Sequence, residues 1–332
     1  MIDTAVPQEH EDEPQQQEDV DHNKDSAEGE ELPAKLNAKN FLNVFAYGVN
    51  VLFTFGIGNA GWFGNGTNSE LSEKYQTIIT PRGTAFSIWG LIFMFQAIFC
   101  VVQLLPRYRG TRMVQNGVSY WWTAVCVTQV GWTFAFAYEV IPLSLFFMLC
   151  IWVSLMGLLY SQYYLEVSDI QNGSLLSWLA EFWLFQFPFC IHGGWITAAL
   201  ALNMNVAVVN SGASGDVQLA VGIISLAVLH AVSVWVLFNL GRKPNYTIAC
   251  VLSWANGWIY SELQNPKDLI VATFTQQTIN GVALAARAVA YIIFFQVVIR
   301  VIIAGVQKYR DINNTPSEDP SEQTKEDVET KV

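Results

Sequence analysis

The 332-residue chain has few charged residues outside its two ends. Charged residues make up 14% of the sequence, whereas soluble domains contain roughly 25%. Residues 41–306 carry nine acids and ten bases, so the formal charge of −11 belongs to the terminal tails. Such acidic tails argue against nucleic-acid binding, because the phosphate backbone repels them.

Cysteine and the usual catalytic motifs are also scarce. There are only five cysteines, an odd number, and all lie inside apolar segments, so no disulfide framework is predicted. No Cys/His spacing suits a metal, and there is no nucleophile–base pair, carboxylate pair or phosphate-binding loop. The sequence therefore predicts a protein that is not an enzyme and requires no cofactor.

The acidic tails have almost no large apolar residues. Residues 1–38 and 309–332 cannot bury enough surface to offset the entropy lost on ordering, and we expect both to be disordered. The N-terminal tail also lacks the apolar region of a cleavable signal peptide, so the first apolar segment is expected to direct membrane insertion.

Between the tails the chain is rich in long apolar runs, and hydrophobic residues make up 52% of the whole. Runs of about twenty apolar residues predict membrane-spanning helices, because a helix satisfies its backbone groups within the bilayer. We therefore predict an all-α, polytopic membrane bundle with eight spans: 41–63, 84–105, 118–139, 141–163, 179–208, 217–240, 245–263 and 283–306.

Basic residues are concentrated in alternate loops. Clusters of Lys and Arg precede the first segment and follow the second, sixth and eighth segments, which places all four clusters on one side of the membrane. The loops on the other side hold few bases. By the positive-inside rule, both termini are predicted to be cytoplasmic, in a membrane that the sequence does not identify. Residues 264–308 are predicted to form an outer loop, with a short re-entrant or interfacial helix, followed by the last span. Pro188 and the pair Gly193-Gly194 predict a kink in the fifth segment.

Three of the segments place aromatic rings and a few polar groups on one helical face. Packed together, these faces would enclose an apolar cavity suited to a flat hydrophobic molecule. The alternative is that the rings simply fill the interior of the bundle. The candidate ligand-binding residues are Phe86, Trp89, Phe93, Gln129, Trp132, His192, Trp195 and Asn203.

The second segment also carries a resemblance to a known family. The run TPRGTAFSIWGLIF, residues 80–93, resembles the TPxGxAFSIWGLIY signature of the larger bacterial tryptophan-rich sensory proteins, relatives of the translocator protein (TspO/MBR) family. Gln129-Val-Gly-Trp132 is similar to the NxxW motif of that family, with Gln129 in place of Asn. Pro188, Trp195 and Asn203 are similar to its Pro…Trp…Asn pattern.

The resemblance covers residues 41–263 and implies a five-helix core with a ligand pocket. Carried over by position, it implies binding of a tetrapyrrole such as porphyrin or haem, or of a sterol-like lipid. The pocket residues that it implies are Phe86, Trp89, Phe93, Trp132, Trp195 and Asn203. The expected partners are membrane lipid, a hydrophobic small molecule and a second copy of the chain.

Ionisable residues inside apolar segments support a different hypothesis. Glu181, His192 and Arg287, together with the broken fifth segment, are features of secondary transporters of small polar or ionic solutes. Glu139 and Arg300 lie near segment ends, and His230 is alone on an apolar stretch. A structural subunit of a larger membrane complex is the third alternative.

Overall fold

The computed structural model describes residues 35–165, 179–239 and 243–314, and within these ranges it contains helices and no strand. The predictions of disorder for residues 1–34 and 315–332 lie outside the described residues. The helices are α1 (Ala38–Phe53), α2 (Asn68–Lys74), α3 (Ile88–Val102), α4 (Trp121–Ala137), α5 (Ile141–Tyr163), α6 (Phe187–Asn210), α7 (Gly215–Phe238), α8 (Tyr246–Leu263), α9 (Asp268–Thr273) and α10 (Gln276–Asn314).

The predicted all-α membrane bundle is confirmed. Among the described residues, six helices are long and apolar enough to cross a membrane: Ala38–Asn59, Gly83–Val102, Ile141–Tyr163, Leu179–Asn210, Gly215–Phe238 and Gln276–Arg310. The other two long helices, α4 and α8, cover 17 and 18 residues. They occupy the third and seventh predicted segments, and a total of eight spans stays a prediction.

Five of the helices form a closed ring. Helix α1 packs against α3 and α4, α3 packs against α6, α6 against α5, and α5 against α4. Large side chains from these helices fill the interior of the ring, and several of them are aromatic. The most deeply buried include Phe99, Trp122, Met148, Phe185 and Phe189.

The remaining long helices, α7, α8 and α10, form a three-helix annex. It packs against the outer side of α6, and α8 is in contact with both α7 and α10. Its interior is filled by aliphatic and small side chains, among them Leu229, Ala249, Leu252, Ala286 and Ile293.

The contact between ring and annex depends on glycine. The structure keeps Gly194 inside regular helix α6, where an added Cβ would lie 2.9 Å from Val251 Cβ and 3.2 Å from Ile248 Cα of α8. Small residues let membrane helices approach each other closely in this way. The irregular stretch of the fifth segment is instead a π-helical turn, Phe182–Gln186, in which Phe187 N–H bonds to Phe182 C=O.

The π-helical turn lies immediately before Pro188, which is in the first turn of α6. Proline has no N–H to continue the hydrogen-bond ladder, so the local change in winding accommodates it. The expected irregularity is therefore present, but its position is earlier than the glycine pair.

Helix α1 buries three amides and a single apolar residue, Ala46. The side chains of Asn40, Asn43 and Asn50 are completely buried. Asn43 Nδ2 donates to Gln103 Oε1 at 3.3 Å, and Thr123 Oγ1 donates to Asn43 Oδ1 at 3.3 Å. These bonds join α1 to α4 and to the end of α3, and they offset the cost of placing amides in a membrane interior.

Two short connections close the far end of the ring, opposite the start of α1. The turn between α4 and α5 is tight, as predicted, and holds Glu139 at a φ of 59°. The loop before α2 packs against it: Gly64 has a φ of 94°, and an added Cβ would lie 2.6 Å from Ala137 O. Only glycine fits this position without strain.

The stretch predicted as an outer loop contains the short helix α9 and the beginning of α10. Its polar residues Gln276, Gln277 and Asn280 lie in the first turns of α10. That helix also continues to Asn314, so residues 309–314 are helical rather than part of a disordered tail.

Candidate functional site

A cavity of about 280 Å³ opens at the far end of the ring, beneath α2. Seven of the eight residues predicted from the sequence line it, and they come from three different helices of the ring and the turn before α3. These are Phe86, Trp89, Phe93, Gln129, Trp132, Trp195 and Asn203. The predicted faces therefore meet around an open space rather than only filling the interior.

One wall of the cavity is built from interlocked rings. The ring of Phe86 meets Trp195 edge-on, with centroids 5.4 Å apart. Trp89 stacks on Phe93 at 5.5 Å and meets Trp195 edge-on at 6.5 Å. Such contacts hold each ring in a fixed orientation. The wall is a rigid aromatic surface against which a planar molecule can pack.

The opposite wall is built around Trp132. Its ring stacks on Phe136 with an interplanar angle of 10° and a centroid distance of 5.2 Å. Its Nε1–H donates to Asn203 Oδ1 at 3.2 Å, and Asn203 Nδ2 donates to Ala199 O at 3.2 Å. The polar groups of this wall satisfy each other, so Trp132 and Asn203 present a fixed surface rather than free donors.

Gln129 is the polar exception among the predicted lining residues. Its side chain is 2% exposed, and its Oε1 has no hydrogen-bond partner among the described residues. An unpaired buried acceptor is costly. Gln129 lines the cavity with other atoms of its side chain, and this oxygen is closed to it.

His192 does not line the cavity. The imidazole is completely buried behind Trp89, which it meets edge-on at 5.5 Å. Its Nδ1 is 3.0 Å from Gln96 Nε2, and its Nε2 has no partner among the described residues. In this position the imidazole supports the aromatic wall and does not face a ligand in the cavity.

The other ionisable residues singled out from the sequence also lie away from the cavity lining. Arg287 places its guanidinium 5.2 Å from the ring centre of Tyr260 in the annex. Arg300 Nε donates to Leu237 O at 3.0 Å. Glu181 accepts a hydrogen bond from Gln186 Nε2 at 3.3 Å. No two of these groups are placed together around a shared space.

Glu139 lies at the far end of the ring, in the turn between α4 and α5. Its carboxylate accepts hydrogen bonds from Lys74, Tyr75 and Asn65, which lower the pKa of Glu139 to about 2. The hydrogen bond between Lys74 and Glu139 also raises the pKa of Lys74. Glu139 thus fastens the loop that carries α2 over the ring.

The mouth of the cavity is polar, and the sequence analysis did not identify it. Helix α2 contributes Asn68, Ser69, Ser72 and Glu73. Glu262 comes from α8 of the annex, and Lys267 from the loop that follows α8. The available signal was the pattern Thr67-x-x-Glu70, a capping box that starts a short helix in a polar loop. Nothing in the sequence indicates that Glu262 reaches the cavity, because its partner Gln76 is 186 residues away.

Comparison with known families shows which family the chain belongs to. A family model described as TSPO-like protein matches residues 40–299. The chain belongs to the TSPO-like protein family. No curated protein and no solved structure matches it. The match extends over the ring and most of the annex, further than the 41–263 of the sequence resemblance, and an integral membrane protein with several apolar helices follows from it.

Proposed function

We propose that this TSPO-like protein binds a planar hydrophobic molecule in the cavity of the ring. The observation that carries the proposal is that two aromatic walls line one cavity, one around Trp89 and Trp195 and the other around Trp132. A ligand between them would gain stacking surface on both sides, with a small number of polar groups to fix its orientation.

The size of the cavity restricts the ligand. A volume of about 280 Å³ is at the small end of the range of roughly 300–1,000 Å³ for ligand pockets. It suits a molecule of a few fused rings, or one edge of a larger macrocycle such as a porphyrin. A sterol-like lipid would fit by its ring system with its tail outside.

A tetrapyrrole would be held by stacking and not through its metal. Among the described residues that line the cavity there is no histidine, cysteine or tyrosine to bind a haem iron, and the one methionine, Met148, is 2% exposed. His192 lies behind Trp89. We therefore infer that porphyrin without metal binds as well as haem. We also infer that the protein binds this molecule and carries it within the membrane rather than converting it, because the lining consists chiefly of rings, amides and aliphatic groups.

The test is titration of the purified protein with protoporphyrin and with haem, monitored by the absorbance and fluorescence of the ligand. Replacing both Trp89 and Trp195 by Ala should weaken binding by roughly tenfold to a hundredfold, since two ring contacts contribute about 1–3 kcal/mol. The matched control is Trp254→Ala, which removes an exposed annex ring. Unchanged affinity in the double variant would exclude this cavity as the site.

A further inference from the structure

The polar mouth of the cavity contains a carboxylate with no cationic partner. Glu262, at the end of α8, is 8% exposed and lines the cavity. It accepts one hydrogen bond, from Gln76 Nε2 at 2.9 Å. The ion pairs among the described residues, Lys74–Glu139 and Lys267–Glu73, do not include it. A buried carboxylate without a cation is costly unless something supplies the charge.

The bases nearest to this carboxylate have other partners. Lys267 also lines the cavity, but its ammonium bonds to Glu73 Oε1 at 2.8 Å. The exposed guanidinium of Arg82 donates to Ser261 Oγ at 3.4 Å, and solvent screens its charge. Because Lys267 and Glu73 cancel each other, Glu262 leaves the charged lining of the described cavity with one negative charge in excess.

The buried polar atoms around the cavity that lack a hydrogen-bond partner among the described residues are all amide oxygens. Gln129 Oε1 and Asn68 Oδ1 belong to lining residues, and Gln76 Oε1 lies beside Glu262; none has a hydrogen-bond partner among the described residues. The Gln76 amide cannot be turned over, because its Nε2 must face the Glu262 carboxylate, which only accepts. Gln76 Oε1 is therefore an acceptor, but all three oxygens are closed to the cavity, so the group that requires a donor from a ligand is the Glu262 carboxylate.

We propose that the ligand of this cavity carries a cationic nitrogen, such as an amine or amidine, which bonds to Glu262 while its planar body packs against the wall formed by Trp89 and Trp195. This inference rests on the proposed function and specifies the chemical class of the ligand. A charged donor satisfies the carboxylate. A ligand whose polar end is a carboxylate would meet like charge at the mouth, so a porphyrin would have to enter with its propionates turned away from Glu262. Glu262 comes from the annex, so the annex selects what the ring binds.

The experiment compares three ligands of one shape: 9-aminoacridine, which is cationic at pH 7.5, neutral acridine and anionic acridine-9-carboxylate. Each is titrated into the full-length protein in neutral detergent, with binding to empty micelles subtracted. We expect 9-aminoacridine to bind about tenfold or more tightly than acridine, because one charge-assisted hydrogen bond is gained. The carboxylate should bind most weakly.

The Glu262→Gln variant assigns the preference to this residue. It should bind acridine within about twofold of the unaltered protein and should lose the preference for the cation. Asp268→Asn is the matched control: it removes the same charge from an exposed position close in sequence, and the preference should remain.

The outcomes separate the two proposals. If none of the three ligands binds, the proposed function fails and this inference fails with it. If all three bind equally, or the carboxylate binds best, the cavity binds planar molecules but the inference is wrong. A cation preference that persists in Glu262→Gln also overturns it. The ligand series on the unaltered protein decides the matter even if that variant does not fold.

Discussion

The ring and the annex are both built from long helices but have different interiors. Aromatic and polar side chains occupy the ring, where Trp122, Gln96 and His192 are completely or almost completely buried. The annex is filled by aliphatic and small residues such as Leu252, Ala249 and Ala286. Large flat rings cannot fill a space without gaps as well as small branched chains do, so the cavity forms in the ring.

The difference indicates a division of roles. The ring encloses the cavity, and the annex packs tightly against α6 and extends one acidic residue, Glu262, to the mouth of that cavity. Variants at the contact between the two regions, and at the loops that join them, test how far this division holds.

The largest effect is expected where the two regions touch. In Gly194→Ala the new methyl group would lie 2.9 Å from Val251 Cβ, so α6 and α8 must move apart, and overpacking of this kind costs about 1–3 kcal/mol. The matched control is Gly257→Ala in α8, which meets nothing within 4 Å and should stabilise by up to about 1 kcal/mol.

The measurement is the free energy of unfolding in mixed detergent micelles titrated with a denaturing detergent. Gly194→Ala should lower it and Gly257→Ala should raise it or leave it unchanged. Equal effects of the two substitutions would contradict a close-packed contact between ring and annex.

A smaller effect is expected at Glu139, which belongs to the ring alone. The folded-state pKa of about 2 lies below the usual value of 4.5, so ionised Glu139 stabilises the fold above about pH 4.5. That contribution is lost as the pH falls from 4.5 towards 2. Glu139→Gln should lower Tm at pH 7 by roughly 1–3 °C.

Thermal unfolding from pH 7 to pH 3 checks this prediction. The difference in Tm between Glu139→Gln and the unaltered protein should shrink on acidification. Lys74→Met should behave alike, and the double variant should add little to either, because the two residues share one interaction. A difference in Tm that is independent of pH would show that the carboxylate charge is not the cause.

The smallest effect on stability is expected at the ion pair that joins α2, above the ring, to the loop after α8 of the annex. Lys267 and Glu73 are 45% and 60% exposed, and exposed pairs contribute roughly 0–1 kcal/mol. In Lys267→Met the free energy of unfolding should change by less than about 0.5 kcal/mol. Since Glu73 is then left unpaired at the mouth, the affinity for 9-aminoacridine should rise about twofold.

The free energy of unfolding is measured by the titration with denaturing detergent, and the affinity for 9-aminoacridine by the ligand titration in neutral detergent. Destabilisation by more than about 1 kcal/mol would mean that the ring and the annex depend on this pair for their packing. A fall in affinity for the cation would mean that Lys267 itself contacts the ligand.

The sequence predicted the helices well because each long apolar run forms its own backbone hydrogen bonds within the membrane. It also predicted which aromatic faces meet. Within each of the three segments, the large side chains around Trp89, Trp132 or Trp195 recur at helical spacing, and the three tryptophans match the family motifs. His192 was placed on the right face, but whether it lies in front of or behind Trp89 depends on packing that periodicity does not record.

The mouth of the cavity was not predicted for a different reason. Glu262 and Gln76 are brought together only by the packing of the annex on the ring, and a single sequence gives no indication of such a distant contact. The capping box at Thr67 predicts helix α2 locally, yet the position of α2 over the cavity depends on Glu139 in another loop.

The amides of α1 have a consequence for the order of synthesis. Asn40 and Asn43 bond to Gln103, 63 and 60 residues later in the chain, and Thr123 follows still later. When α1 leaves the ribosome, none of these partners has been made, so its amides have no acceptors or donors within lipid. We therefore expect this first helix to stay beside the insertion machinery, or at the water interface, until α3 and α4 have been translated.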